Sequence, residues 1–255
     1  MSPSPGPRAI SVLPLRIAGE VRPGDSVAEK ICAALRRQRL GPKPGDILVV
    51  KHKIVSKAEG RIVALDAVKP AAAARAWARQ HRADARVVQL ALSESRRVVR
   101  QKHVLITETR HGLVCANSGV DVSNVDGGHS AVLLPLDPDR SAAKLHRALR
   151  KQFALAIPVI ISDSFGRAWR EGLCEVAIGI AGLKPLHDYR GHRDPHGYPL
   201  HASVEAVADE LACAAGLVCG KLTYTPACII RGFRYQPGRG QASQLIRPAS
   251  HDLFR

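Results

Sequence analysis

The sequence predicts a mixed α/β protein, with α+β character, and three observations predict it. Apolar runs of strand length alternate along the chain with longer segments of helical periodicity. Apolar residues make up 45% of the 255 positions, enough to bury a substantial core. Neither a G-x-G-x-x-G run after a strand nor a working P-loop occurs, so the scheme is non-Rossmann and non-P-loop.

Residues 1–8 alternate Ser and Pro and read as a disordered tail, which leaves 9–255 as the folded part. Residues 10–15 are a short apolar run of strand type. Ser26 then opens a helix with a capping box, because Glu29 lies three residues on; Val27, Ile31 and Leu35 are its buried stripe. Residues 41–45, with two prolines, turn the chain into a buried-type strand at 47–50. Residues 70–82 are Ala-rich and helical, and 104–107 and 113–116 read as paired strands around His111-Gly112. An amphipathic helix runs from 139 to 153. Its Ala142, Leu145, Leu149 and Phe153 face inward, and Arg140, Lys144, Arg147 and Lys151 form a solvated basic stripe. Strands at 157–161 and 177–181, a largely buried helix at 203–218 and a strand at 227–230 complete the series. With no obvious linker, two subdomains sharing one core are expected.

Lys and Arg number 38 against 22 Asp and Glu, a net charge of +16, so anionic partners or an Arg-rich solvated surface are implied. Aromatic content of 4% leaves few stacking platforms for single-stranded nucleic acid, which weighs against that partner. The longest apolar stretch, 153–161, is interrupted by Pro158 and far short of a membrane span. The six cysteines form no C-x-x-C pair and no hydrophobic signal segment is present, so buried free thiols and a cytoplasmic setting are expected.

Five segments are candidates for chemistry. Asp163-Ser164 follows the 157–161 strand, where an acid and a hydroxyl can hold Mg²⁺ or Mn²⁺, or simply make a turn. Residues 116–124 are dense in Asn, Asp, Ser and Gly: turn formers first, oxygen ligands second. Lys53, Lys57 and Arg61 recur every four residues beyond a strand end, which suits phosphates or a solvated helix face. Residues 216–221 fail as a P-loop, one residue short and with Leu222 where Ser or Thr must stand. His187, His192, His196 and His201, with Asp188 and Asp194, match no tight zinc spacing and read as a polar loop.

Together these segments, in this order, resemble the coenzyme F-420-0:γ-glutamyl ligase family. The matching blocks include Arg22-Pro23-Gly24-Asp25, Gly45-Asp46-Ile47-Leu48-Val49-Val50, and His111-Gly112-Leu113-Val114-Cys115-Ala116-Asn117. The most specific is Ile161-Ser162-Asp163-Ser164-Phe165-Gly166-Arg167 with Trp169-Arg170-Glu171-Gly172, and the match runs to the closing Asp252-Leu253-Phe254-Arg255. The resemblance implies an unusual ligase fold of two interlocked subdomains, assembled as an intertwined homodimer. It implies a ligase forming a carbon–nitrogen bond: GTP-dependent addition of L-glutamate to coenzyme F-420-0 through an acyl phosphate, γ-linked on extension. Mg²⁺ or Mn²⁺ is implied as cofactor, with K⁺ as a candidate monovalent ion.

By the same resemblance Asp121, Asp163 and Ser164 are expected at the metal, Ser164 replacing a more usual Thr. Nucleotide contacts are expected from Ala18, Gly19, Glu20, Val21, His52, Lys53, Lys57 and Asn124. The segment Cys219, Gly220, Lys221, Leu222, Thr223, Tyr224, Thr225 and Pro226 is expected as a further nucleotide loop. Lys221 lies where some members carry an acidic second-metal ligand; either it contacts phosphate or that metal is held differently. The rival readings are a paralogous ligase acting on another carboxylate, a basic nucleic-acid-binding protein, and a metal-dependent hydrolase using the histidine loop. Replacing His192 and His196 with Ala separates the last: kinetic assay is expected to show a mild effect for a ligase and abolition for a hydrolase.

Overall fold

The computed structural model describes residues 9–252; the tail at 1–8 and the closing 253–255 lie outside the described residues. Along the chain run β1 (Ser11–Leu15), α1 (Val27–Arg37), β2 (Ile47–Lys51), α2 (His52–Ala58) and β3 (Ile62–Ala64). Next come α3 (Ala72–His81), α4 (Ala85–Ser93), β4 (Ser95–Gln101), β5 (Leu105–Thr109), β6 (Val114–Ala116) and β7 (Ser130–Val132). They are followed by α5 (Pro138–Phe153), β8 (Val159–Arg167), β9 (Arg170–Ala181), β10 (His187–Asp188), β11 (Val204–Glu205), α6 (Val207–Val218) and β12 (Ala227–Arg231).

Five strands form the main sheet in the order β1-β12-β2-β8-β9. The β2–β8 pair is parallel and every other pair in that sheet antiparallel. The run Ile47–Val50 is apolar at every position because both faces of the sheet are covered. Leu48 and Val50 point into one core with α1 and α5, and Ile47 and Val49 into another with α6. β12 alternates in the same way: Ala227 and Ile229 on the first side, Cys228 and Ile230 on the second. A third, smaller core gathers Leu65 from the turn after β3 with Ala74, Ala78, Val88, Ala91 and Leu105 from α3, α4 and β5. Beside it lie the β4-β5-β6 sheet and the β3-β7 pair.

Among the described residues, side-chain caps start three of the six α-helices, α1, α4 and α5. The Ser26 hydroxyl accepts from the Glu29 amide at 3.3 Å, and Val27, Ile31 and Leu35 are buried as the stripe requires. Helix α5 starts on Asp137, whose carboxylate accepts from the Arg140 amide at 2.9 Å, with Pro138 in the first turn. Its Ala142, Leu145 and Leu149 are buried, Phe153 packs partly against them, and Arg140, Lys144, Arg147 and Lys151 are exposed.

Several expectations need correcting. The 157–161 strand does not stop before Asp163; β8 continues to Arg167 and pairs with an equally extended β9, so Asp163 and Ser164 sit within a strand. The helix expected over 203–218 begins at Val207, after the short strand β11. Helix α4 and strand β4 had no expectation at all. Asp84 caps α4 through the Arg86 amide at 2.8 Å, a readable signal, but β4 is Ser-Arg-Arg-Val-Val-Arg-Gln and mostly exposed, so only its pairing with β5 reveals it. The failed P-loop run has a plain origin: Gly216 lies inside α6, and Cys219 ends that helix.

Among the described residues no helix is long and apolar enough to cross a membrane, and all six cysteines are free. Gly179 of β9 marks a close helix–sheet approach, because a Cβ there would lie 2.4 Å from the Pro138 carbonyl oxygen. Asp139 locks the same contact by accepting from the Ile180 amide at 2.8 Å and the Ala242 amide at 3.0 Å. Gly179→Ala is expected to destabilise the protein by about 1–3 kcal/mol, read as a lower urea midpoint at unchanged slope.

Candidate functional site

The site is built where β2 becomes α2. Lys51 is the last β2 residue, paired in register with Ser162 of β8, and the chain turns into helix at His52. From Asp163 onward, therefore, β8 has no neighbour on that side, and its edge opens onto a cavity of about 470 Å³. The junction sends three consecutive side chains to three different acids. Lys51 pairs with Glu175 of β9, His52 Nε2 lies 3.2 Å from Asp163 Oδ1, and Lys53 Nζ lies 2.7 Å from Asp121 Oδ2. One turn later Lys57 pairs with Glu20.

The acid side is held as firmly. Asp121 also accepts from the Ser123 amide at 2.7 Å, and Lys53 Nζ donates to the Ser123 carbonyl and hydroxyl, both at 2.9 Å. The preceding turn is fixed by buried Ser118, which donates to the Ala91 carbonyl at 2.7 Å and receives support from Thr107. Ser118 and Asn124 adopt left-handed backbone, which Asn tolerates through local hydrogen bonding. On β8, Asp163 accepts from the Ser164 amide at 2.7 Å.

Burial alone would raise the Asp163 carboxyl, but the charge and contact of His52 and the Ser164 amide outweigh it, so it ionises below its ordinary range. Asp121 follows the same balance: burial raises it, while Lys53 and the Ser123 amide bring it down further. Asp121 also opposes ionisation of Asp163, so the two carboxylates feel each other across the cavity. His52 is 2% exposed; Nδ1 meets the Ser56 hydroxyl at 3.2 Å, and Nε2 approaches Asp163 out of line for a good hydrogen bond.

Of the residues singled out in the sequence, Gly19, Glu20, Val21, His52, Lys53, Lys57, Asp121, Asn124, Asp163 and Ser164 line this cavity. So do Cys219, Gly220, Lys221, Tyr224, Thr225 and Pro226, although α6 and β12 lie far along the chain from α2. Ala18, Leu222 and Thr223 do not line it; Leu222 is 90% exposed, and Thr223 bonds back to the Gly220 carbonyl at 3.0 Å. Arg61 departs from the four-residue basic pattern. Helix α2 ends before it, and its guanidinium is bound to Glu94 at 2.6 Å and to the Leu134 carbonyl at 3.0 Å.

The histidine loop assembles nothing comparable. Asp188 is clamped by Arg190 at 2.6 Å, and Asp194 accepts from the His196 and Tyr198 amides. Sequence reasoning missed Lys51 and Glu175. Lys51 could have been found from its place next to His52, but the partner across the sheet carries no local signal.

The F420-0:Gamma-glutamyl ligase family model matches residues 16–232, most of the chain. The chain belongs to the F420-0:γ-glutamyl ligase family. Relatives named coenzyme F420:L-glutamate ligase include one from Methanothermobacter thermautotrophicus, 45% identical over 91% of this chain and 93% of its own. One from Methanopyrus kandleri is 41% identical over 96% of this chain and 98% of its own, and one from Archaeoglobus fulgidus 37% identical over 96% of each. The γ-glutamyl ligase match spans both sides of the cavity, from the Gly19 loop to β12.

The Asp163 setting has a measurable signature. Its folded pKa lies below the unfolded value of about 3.9, so the His52–Asp163 contact contributes stability above that pH and loses it as pH falls through the folded value. In His52→Gln the Asp163 midpoint, followed by carboxyl carbon NMR, is expected to move upward. An unmoved midpoint would show that His52 does not hold the carboxylate ionised.

Proposed function

We propose that this chain joins L-glutamate to coenzyme F420-0 in a GTP-dependent reaction that forms an amide, and that extension is γ-linked. The observation that carries the reading is the convergence, in a γ-glutamyl ligase family member, of lysines and paired carboxylates on one cavity. A phosphate donor and a carboxylate acceptor repel each other, and a pocket that brings them together must offer both cations and hard oxygen donors.

The chemistry divides into two balanced steps. An acceptor carboxylate oxygen attacks the γ-phosphorus of GTP, the bond to the β–γ bridging oxygen breaks, and GDP leaves. The glutamate amine then attacks the carbonyl carbon of the acyl phosphate, loses a proton, and expels inorganic phosphate as the amide forms. Lys57, Lys53 and Lys221 supply positive charge toward the triphosphate, with Lys57 exchanging Glu20 for phosphate as the nucleotide enters. Gly19, Glu20 and Val21 and, from the later segment, Gly220, Lys221, Tyr224, Thr225 and Pro226 line the same cavity and supply further contacts to the nucleotide.

Asp121, Asp163 and Ser164 fit a divalent cation such as Mg²⁺ or Mn²⁺. Their donors are all hard oxygens, and both carboxylates stay ionised despite burial. When bound, such a cation supplies charge neutralisation at the transferred phosphoryl group. Lys53 releases Asp121 when that carboxylate is needed and is then free to meet phosphate. K⁺ and a homodimeric assembly belong to the same reading through family membership alone.

Incubating the protein with coenzyme F420-0, GTP, L-glutamate and Mn²⁺ is expected to yield a mass increase of one glutamate residue with release of GDP. Intact GTP and no mass increase would overturn the proposal, and turnover only with a different carboxylate acceptor would assign the chain to a paralogous ligase. Asp163→Asn is expected to lower turnover by at least about 100-fold with an unchanged circular dichroism spectrum.

A further inference from the structure

One buried carboxylate behind the cavity lining has no part in the steps above. Glu175 stands on β9 directly opposite Ser164 in the β8–β9 register and is 8% exposed. Its Oε1 accepts from the Ser164 hydroxyl at 2.6 Å and also pairs with Lys51 Nζ, while Oε2 accepts from the Ser162 hydroxyl at 2.9 Å. Helix α6 makes room for it: a Cβ on Gly216 would fall 2.7 Å from Glu175 Cγ. This carboxylate is anchored at both oxygens, in one orientation, behind the residue expected at the cation.

We propose that Glu175 is a positioning residue that makes Ser164 a cation ligand by accepting a hydrogen bond from its hydroxyl, and that holds Lys51 in place with the same oxygen. The inference rests on the reading that Asp163 and Ser164 bind a divalent cation. A serine hydroxyl has one proton and two acceptor lone pairs, and it ligates a cation only through a lone pair. Unguided, the hydroxyl rotates and can turn its proton toward the neighbouring Asp163 carboxylate or an incoming phosphate. With its proton committed to Glu175 Oε1, Ser164 meets the cavity as an acceptor only. The Ser162 bond stops the carboxylate from rotating away, and Lys51 balances its buried charge. Ser162 and Lys51 are themselves register partners at the last β2–β8 pair, so the whole support rests on sheet geometry.

The test is a double-mutant cycle read by Mn²⁺ binding to the full chain, followed by the electron paramagnetic resonance signal of free Mn²⁺, with and without GTP. E175M keeps the side-chain length but offers Ser164 no strong acceptor; it is expected to weaken Mn²⁺ binding about 10-fold or more in the wild-type background. In the S164A background the same change is expected to have an effect of less than about twofold, because the hydroxyl it orients is gone. E175D, run through the same cycle, keeps the negative charge near Lys51 but withdraws the acceptor from Ser164; it is expected to repeat the pattern and decides the matter if E175M does not fold. Equal losses in both backgrounds, or none in either, would overturn the inference. D163N separates the two levels of argument. Weakened Mn²⁺ binding in D163N beside an additive Glu175–Ser164 cycle rejects the positioning role alone, whereas undiminished binding in D163N rejects the cation reading and this inference with it.

Discussion

The parallel pairing of β2 with β8, and its abrupt end at Lys51–Ser162, is the constraint on which the site depends. A strand that stops while its neighbour continues leaves an edge with unpaired backbone and outward side chains. Here the chain turns at once into α2, and the turn fans Lys51, His52 and Lys53 toward β9, β8 and the Asp121 turn respectively. Because both faces of β2 are packed by apolar layers, the junction cannot shift without disturbing two cores. Its position is therefore as rigid as the sheet.

Electrostatics supply the second layer of order. Lys51, Lys53 and Lys57 are each matched to an acid, and burying either partner alone would leave an uncompensated charge. The matching differs in accessibility. Glu175 is enclosed, whereas Glu20 is 61% exposed and sits on the loop before α1, so Lys57 can exchange it for an incoming anion with little loss. The pocket thus combines permanent pairs, which fix geometry, with replaceable ones, which leave charge available to ligands. The net charge of +16 has little to do with this balance: the exposed Arg140, Lys144, Arg147 and Lys151 form the solvated face of α5 instead.

How much was legible follows from where each signal lies. Helix α1 could be read because Ser26 and the Val27, Ile31, Leu35 spacing sit within one helix. The metal and nucleotide candidates were legible as ordered blocks, and sixteen of those nineteen residues line one cavity. The extended arm of β8 and β9 was not legible, since Asp163-Ser164 reads as well as a turn as a ligand pair and becomes strand only by hydrogen bonding to β9. Arg61 kept the four-residue spacing but not the role, because α2 ends first and Glu94 captures it.

By itself, then, the sequence determined the alternation of buried strands and capped helices, the family and the residue types at the site, all of which are written in short segments. Only the tertiary structure decided which charges meet. Lys51 and Glu175 are remote in the chain and share no motif; they are neighbours because β2, β8 and β9 pair in one register. Pairing across a sheet depends on strand order and on where each strand stops, and neither property belongs to any local stretch of residues.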